Sequence, residues 1–184
     1  MRSLSIFAVF VAVFALSGCV SLASYPKEWS PPADEPEGKC PDLTGAFENA
    51  GARVESDRTS QARLATFLIG SKSSNIDADR VELQHQGGKL RITLWSGDKS
   101  LYESTVDVAT TCRGGELVIR DPEPEGGINR EGIAGASSSS LGLQRSQDGA
   151  LIARRTDSFA GIALLVPIAM RAREWQRYNP YLRR

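Results

Sequence analysis

The sequence predicts an all-β domain whose antiparallel strands follow one another as an up-and-down meander. Apolar and polar residues alternate with a period of two through "RVELQHQGGKLRITLWSGDKSLYESTVDV" (80–108), as they do in strands with one buried face. Glycine-rich joints separate the alternating runs, and no segment between them has the length of a crossover helix. We expect the meander to close into a partial or full barrel, with a two-sheet sandwich as the alternative.

The strands can be placed in order along the chain. A short strand candidate at 46–49 lies in the opening "CPDLTGAFENAG", and "RLATFLIG" (63–70) is a further apolar run. The turn-forming pairs Gly87-Gly88, Gly114-Gly115 and Asp148-Gly149 join the later strands, because glycine accepts the positive φ angles of tight hairpins. The later strands are predicted at 80–86, 89–95, 100–108, 116–120, 138–146 and 150–156.

The last apolar segment, "IALLVPIAMRAREWQRY" (162–178), allows two interpretations. We expect a strand at 162–166. Residues 168–178 form either a last strand, with Pro167 at an edge or bulge, or a short C-terminal helix, since Ala, Met, Arg and Glu favour helices. Because the nine apolar residues at 162–170 are too few to span a bilayer, we expect them to be buried in the core.

The N-terminus reads as an export signal. Arg2 gives a positive start, and "LSIFAVFVAVFAL" (4–16) supplies thirteen residues interrupted only by Ser5. A membrane-spanning helix needs about 20 residues, whereas this length suits the core of a signal peptide. The run ends in Leu16-Ser17-Gly18-Cys19 instead of an ordinary small-x-small cleavage site.

The tetrapeptide "LSGC" resembles the lipobox of bacterial lipoproteins. The resemblance implies cleavage between Gly18 and Cys19, with acyl chains such as palmitate carried on the Cys19 sulfur and on its new amino group. One acyl chain binds a membrane weakly, whereas several anchor stably. Val20 stands where Asp tends to retain Gram-negative lipoproteins at the inner membrane, so the resemblance implies the outer membrane. A plain secretory signal with a chance cysteine is the alternative.

The chain therefore divides into a signal peptide (1–18), a Pro-rich tether that begins at lipidated Cys19 (19–39) and a β domain (40–184). The four prolines of the tether stiffen the chain and remove backbone donors. At about 3.1 Å per residue it would reach roughly 60 Å and hold the domain off the membrane. Its Tyr25 and Trp29 either rest at the lipid interface or pack on the domain.

The remaining cysteines, Cys40 and Cys112, form an even pair in an exported chain. Since export leads to an oxidising compartment, we expect a disulfide between them, with two buried thiols as the alternative. Closing a loop of about 70 residues stabilises a fold by roughly 4 kcal/mol in the chain-entropy model.

Charge is balanced overall, with 22 basic and 22 acidic residues, which argues against a nucleic-acid partner. The two ends differ. Residues 19–60 hold four basic and eight acidic side chains, whereas residues 142–184 hold eight basic and three acidic side chains. The two regions form either two solvated faces of one domain or a basic C-terminal edge that faces lipid phosphates or an acidic partner.

Catalytic and metal-binding patterns are missing from the sequence. His85 is the single histidine and sits at a strand position, so we expect a structural role. The serines at 137–140 lack a Gly-x-Ser-x-Gly turn. The acidic residues at 121, 123 and 125 resemble a calcium loop only superficially, because Gly132 stands where a bidentate Glu is required. We expect no catalytic residue, no metal and no cofactor, and hence no enzyme.

The C-terminal "MRAREWQRYNPYLRR" interleaves Trp175, Tyr178 and Tyr181 with arginines. Such residues build binding surfaces, or they seal the open end of a barrel by cation–π packing.

The whole chain resembles small outer-membrane lipoproteins of Proteobacteria whose function is uncharacterised, through "LSGC", "CPDLTGAFENAG", the glycine-joined strands and the Trp/Tyr/Arg-rich ending. This implies a lipid anchor in the outer membrane and a domain facing the periplasm. We expect a non-enzymatic interaction or structural module that docks to another envelope protein or to peptidoglycan. A lipocalin-like carrier of a small apolar ligand is the alternative, although Leu, Ile and Val at the inward positions favour a packed interior.

Overall fold

The computed structural model describes residues 19–36, 39–55, 58–73, 75–108, 112–120, 125–128, 133–163 and 166–182. The chain is all-β, as the alternating pattern predicts. The described strands are β1 (Cys19–Leu22), β2 (Gly45–Glu48), β3 (Ala50–Glu55), β4 (Arg58–Arg63), β5 (Arg80–Gln86), β6 (Lys89–Ser96), β7 (Lys99–Asp107), β8 (Cys112–Arg113), β9 (Glu116–Arg120), β10 (Glu125–Ile128), β11 (Ile133–Arg145), β12 (Leu151–Ala163) and β13 (Val166–Tyr178).

These strands form two sheets. The larger sheet has the order β4-β3-β13-β12-β11-β9-β8, with β10 beside β11 and β1 beside β13. The smaller sheet has the order β2-β5-β6-β7 and contains the predicted meander. All pairs are antiparallel except β1 with β13, which is parallel.

The two sheets share one apolar core. Leu83 and Ile92 contribute from the smaller sheet, Leu143 and Tyr178 from the larger one, and all four are 0–1% exposed. The helix α1 (Leu64–Ile69) adds Leu64 to this core. Dense packing of this kind is how a sandwich excludes water from both inner faces.

The sheets meet at one edge without closing into a full barrel in the described ranges. The N–H of Glu48 donates to the carbonyl of Asn179 (2.9 Å), and the N–H of Tyr181 donates to the carbonyl of Ala46 (2.9 Å). These bonds join β2 to the residues that follow β13. The result is a partial barrel or sandwich. A fully closed barrel, the other form that the sequence allows, is absent from the described ranges.

The predicted glycine turns are present. Gly87 and Gly88 have φ angles of 60° and 74°, and Gly114 and Gly115 repeat these values. Left-handed φ at both central residues is what a tight hairpin requires. The "GGKL" and "GGEL" joints therefore lie where the sequence places them.

Of the two interpretations of residues 168–178, the strand is confirmed and the possible short C-terminal helix is wrong. Val166–Tyr178 is strand β13, paired with β12 along its full length and with β3 at its end. The long ladder to β12 overrides the helix-forming preference of the residues at 168–178. The apolar run at 63–70 gives the short helix α1 after the end of β4.

The expectation that the segment at 162–170 is buried is also corrected at the residues that the structure describes there, because Ile162 and Met170 are exposed and lie outside the core. Ile162 is 52% and Met170 48% exposed. Strands β11, β12 and β13 have 13 residues each, whereas those of the smaller sheet have at most nine. The long strands therefore extend past the core. We call their uncharged distal part, residues 134–136, 159–162 and 167–170, the apolar arm.

The predicted disulfide is confirmed. Cys40 and Cys112 are bonded, with their Cα atoms 5.0 Å apart, inside the usual range for a disulfide. The bond ties the chain ahead of β2 to the edge strand β8, so it links the start of the domain to the margin of the larger sheet.

Candidate functional site

The residue expected to carry the lipid lies in a strand of the larger sheet. Strand β1 runs parallel to β13, with Cys19 opposite Met170 and Leu22 opposite Arg173. Ladder hydrogen bonds are the backbone's way of satisfying its polar groups. The backbone of Cys19 is thus held in register with a particular level of the domain.

An aromatic cluster fixes the chain immediately after β1. The Trp175 indole N–H donates to the carbonyl of Ala23 (2.9 Å). The Tyr25 ring meets the Trp175 ring edge-on, with centroids 5.2 Å apart, and Trp29 meets Tyr25 in the same way at 6.0 Å. We call Tyr25, Trp29 and Trp175 the aromatic clamp; Ile152 lies buried beside it.

The clamp settles where the two aromatic residues of the Pro-rich segment lie. Tyr25 and Trp29 pack on the domain. The Tyr25 hydroxyl donates to the carbonyl of Ser30 (2.5 Å), and burial raises the pKa of this phenol. Edge-to-face aromatic pairs add to the stabilisation from buried area alone.

The Pro-rich segment continues along the domain. The N–H of Ala33 donates to the carbonyl of Arg145 (2.8 Å), and the carbonyl of Pro31 accepts from the N–H of Gln147 (2.9 Å). Pro32 forms an isolated bridge with Ser146. Residues 19–36 therefore do not extend away as the expected leash. Prolines lack a donor, but their carbonyls and the following N–H remain able to pair.

A buried ion pair lies beside the clamp. The Arg154 guanidinium donates through two nitrogens to the carboxylate of Glu116, with Nε at 2.9 Å from Oε1. The same guanidinium lies over the Trp175 ring, 5.7 Å from its centroid. Gly142 leaves the space for the carboxylate, since a Cβ there would overlap it. The pair connects β9 to β12 across β11.

The ion pair is shaped by its burial. Burial raises the pKa of Glu116, and the attraction of Arg154 only partly offsets this effect. Removing a carboxylate from water costs more free energy than one ion-pair partner restores. The Glu116 side chain therefore makes a structural contact beside the clamp.

The candidate catalytic residues are not brought together. His85 lies on β5 of the smaller sheet, with Nδ1 3.3 Å from the carbonyl oxygen of Pro41. Ser139 lies on β11 of the larger sheet and donates to Asp157 (2.7 Å). Each makes a local structural contact, and no Ser–His pair forms between these two residues.

The remaining candidates fall partly outside the described residues. This applies to Gly18 at the cleavage site and to the loop positions 121, 123 and 132; position 125 opens β10. Among the described residues, no group of three or more His, Cys, Asp or Glu side chains is placed to hold a metal ion.

The Arg- and aromatic-rich ending has a structural role. Trp175 belongs to the clamp, and Tyr178 is fully buried, donating to the side chain of Gln176. Tyr181 stacks under Arg80, 5.2 Å from ring centroid to guanidinium carbon. Arg177 pairs with Asp148 at 2.6 Å. Of the two interpretations, sealing one end of the sheets matches these contacts.

A surface depression of about 740 Å³ lies next to this ending. It is lined by Glu48, Asp148 and residues 179–182. Hydrogen bonds from Ser146, Ser30, Arg177 and Ala150 hold the pKa of Asp148 well below its usual range. That carboxylate is therefore engaged by groups of the domain itself.

Sequence reasoning missed Glu116 and Arg154, and for Tyr25 it allowed either a position at the lipid interface or packing on the domain. Glu116 and Arg154 are 38 residues apart, and Ala23 and Trp175 are 152 apart. No local pattern reports contacts over such separations. The only usable signal was that two aromatic residues interrupt a polar, proline-rich segment.

No helix in the described part of the chain is both long and apolar enough to cross a membrane. Comparisons with protein-family models, with curated proteins and with solved structures found no match to the chain.

Proposed function

We propose that this chain is a lipid-anchored protein of the bacterial cell envelope that acts as a non-enzymatic interaction or structural module. Cleavage after Gly18 exposes Cys19, which is acylated and inserts into the outer membrane, with the domain facing the periplasm. The observation that carries the proposal is "LSGC" at the end of an uncharged apolar run. Several acyl chains on one residue give stable anchoring.

The docking of residues 19–36 supports a defined orientation at the membrane. The aromatic clamp binds the backbone at Ala23, four residues after Cys19. An anchor at Cys19 therefore holds the domain against the lipid surface, and a short rigid connection restricts how the domain can turn. A fixed orientation suits a module that presents one surface to a partner.

Three carboxylates of the described residues are paired with arginines, which supports an interaction role over catalysis. Glu116 pairs with Arg154, Asp148 with Arg177 and Glu103 with Arg91. A catalytic acid or base has to be poised to exchange its proton with a substrate, whereas these carboxylates are neutralised within the domain. The partner proposed is another envelope protein or peptidoglycan.

The lipid anchor is tested by expressing the full chain in a Gram-negative host fed an alkyne fatty acid. We expect the wild type to take up the label, to enter the detergent phase on cloud-point partitioning and to fractionate with the outer membrane. Cys19→Ala should lose both label and partitioning. The matched control is Ser17→Ala, which keeps Leu16, Gly18 and Cys19 and should behave as wild type.

Two results would contradict the anchor. One is label retained in Cys19→Ala, which would place the acyl chain elsewhere. The other is a wild-type protein that stays in the aqueous phase without label, which would leave an ordinary secreted domain.

The partner class is tested with a photo-crosslinking residue at Leu101, which is 37% exposed on the edge strand β7. We expect a discrete crosslinked protein in intact cells, or co-sedimentation of the full chain with purified peptidoglycan. Failure of both assays would remove the docking part of the proposal and leave the anchor intact.

A further inference from the structure

We propose that the apolar arm enters the same lipid leaflet as the acyl chains of Cys19. This inference rests on the proposed lipid anchor. The hydrocarbon of the leaflet then covers the exposed arm. Two adjacent insertions, the acyl chains and the arm, hold the domain at the membrane.

The position of Cys19 in the sheet is the first argument. Cys19 lies opposite Met170, and Met170 lies opposite Phe159 on the next strand. Met170 and Phe159 form the base of the arm. Acyl chains attached at Cys19 therefore start at the level where the uncharged part of β12 and β13 starts.

The composition and exposure of the arm are the second argument. All twelve residues from 159 to 170 are uncharged and apolar or small, yet Ile162 and Met170 are about half exposed. Exposed contiguous apolar surface is unfavourable in water and marks a contact with lipid or protein. The leaflet next to Cys19 supplies such a cover.

The arm matches one leaflet in length. From Met170 to Val166, the first residue of β13, there are four residue steps, and a strand rises about 3.3 Å per step. This gives roughly 13 Å, somewhat less than half of the hydrocarbon core of about 30 Å. The described part of the arm is thus long enough to lie within one leaflet and too short to cross the bilayer.

Charge at the base of the arm is the third argument. Arg171 and Arg173 follow the apolar stretch on β13, and Arg171 is exposed. At the same level Arg155 is paired with Asp157. Basic side chains next to an apolar insertion are placed to meet the phosphates of lipid headgroups.

The packing of Phe159 explains how the arm keeps its shape outside the core. Its ring lies over Gly135 and Gly161, because a Cβ at either glycine would overlap it. These glycines are register partners on neighbouring strands. An aromatic ring that covers glycines on adjacent strands stabilises a sheet that has no second layer.

The test uses full-length protein purified from membranes and reconstituted into phosphatidylethanolamine–phosphatidylglycerol vesicles. Ile162→Cys introduces a thiol for a spin label, since Cys40 and Cys112 are bonded and Cys19 is blocked if acylated. The matched control is Ser138→Cys. It lies on β11 at the level of Arg171, through Ser158, where we place the lipid phosphates.

We expect the label at position 162 to collide at least about tenfold less often with a charged aqueous relaxant than the label at position 138, because charged solutes are excluded from hydrocarbon. Oxygen, which is enriched in hydrocarbon, should show the reverse order. Equal access of the relaxant to both labels would overturn the inference.

Two further readings separate the alternatives. Strong spin–spin broadening between labelled copies would place a second copy of the chain on the arm and overturn the inference. Attachment of the spin label to the wild-type protein, which lacks the Ile162→Cys thiol, would mean that Cys19 carries a free thiol. The lipid anchor would then fail by itself, while the depth of the position-162 label in a Cys19→Ala background would still decide whether the arm enters lipid.

Discussion

Glu116 shows how one buried charge is held in this fold. It is 8% exposed, and Arg154 contacts both of its carboxylate oxygens. Burial still raises its pKa, so the folded state favours the protonated form more than the unfolded state does. The stabilisation that results from this shift is fully present below the pKa of Glu116 in the unfolded state. It is lost as the pH rises through the pKa of Glu116 in the folded state.

Glu116→Gln removes this dependence while it keeps an acceptor for Arg154. We expect the free energy of unfolding of wild type, minus that of the variant, to fall as the pH rises from about 4 to 7. Urea unfolding at several pH values measures it. Glu103→Gln is the control of opposite sign, because its pairing with Arg91 lowers the pKa of Glu103. A difference that rises with pH for Glu116→Gln would contradict the assigned direction.

Asn49 joins three parts of the core at the corner between β2 and β3. It is 2% exposed. Its side chain donates to the carbonyl of Ala78 (2.8 Å) and accepts from the N–H of Ala65 (2.9 Å) at the start of α1. Buried polar groups are costly to leave without partners.

Asn49→Ala should destabilise the domain by about 2–3 kcal/mol, because two buried backbone groups lose their partners. Denaturant unfolding gives the value. Asn75→Ala, at an exposed position, is the matched control and should change stability by less than about 0.5 kcal/mol. Equal effects of the two substitutions would remove Asn49 from its proposed position in the core.

At the scale of elements, the clamp decides whether β1 stays on the larger sheet. Trp175→Phe removes the indole donor to Ala23 and should cost about 1 kcal/mol. Trp175→Ala also removes the ring and should cost about 3–5 kcal/mol. Hydrogen exchange of residues 19–36 should quicken in the same order, measured by mass spectrometry of the folded protein. Unchanged exchange in Trp175→Ala would mean that this segment is held without the clamp.

Elements set by local chemistry were predictable from the sequence. The hairpins at Gly87-Gly88 and Gly114-Gly115 follow from backbone angles that glycine accepts. Residues 168–178 allow either a helix or a strand on sequence alone, because their local preference is for helix and only the ladder to β12 decides. Exposure of Ile162 was missed, since it depends on how far β12 extends past the smaller sheet.

At the scale of the whole molecule, the Cys40–Cys112 bond connects the chain ahead of β2 to the edge strand β8. Replacing both cysteines by serine should lower the free energy of unfolding by about 4 kcal/mol, the chain-entropy value for a loop of this size. Chemical denaturation under oxidising conditions measures the loss. Cys19→Ala is the control and should leave the stability of the domain unchanged. A double serine variant as stable as wild type would mean that the bond contributes no net constraint.

One part of the candidate site is predictable from adjacent residues, and another part depends on contacts between distant segments. The expectation that Cys19 is the anchor comes from four adjacent residues, so sequence alone suffices to state it. The docking of Tyr25 against Trp175 joins the N-terminal segment to the last strand. Such a contact depends on the completed sheet, and its signal in the sequence is limited to two aromatic residues within a proline-rich segment.

The most direct test of the lipid anchor is the intact mass of the full chain purified from membranes, with fragmentation to locate any modification. We expect a protein that begins at Cys19 and carries a diacylglyceryl group and an acyl chain on that residue. A protein that begins elsewhere, or one with an unmodified Cys19, would contradict it.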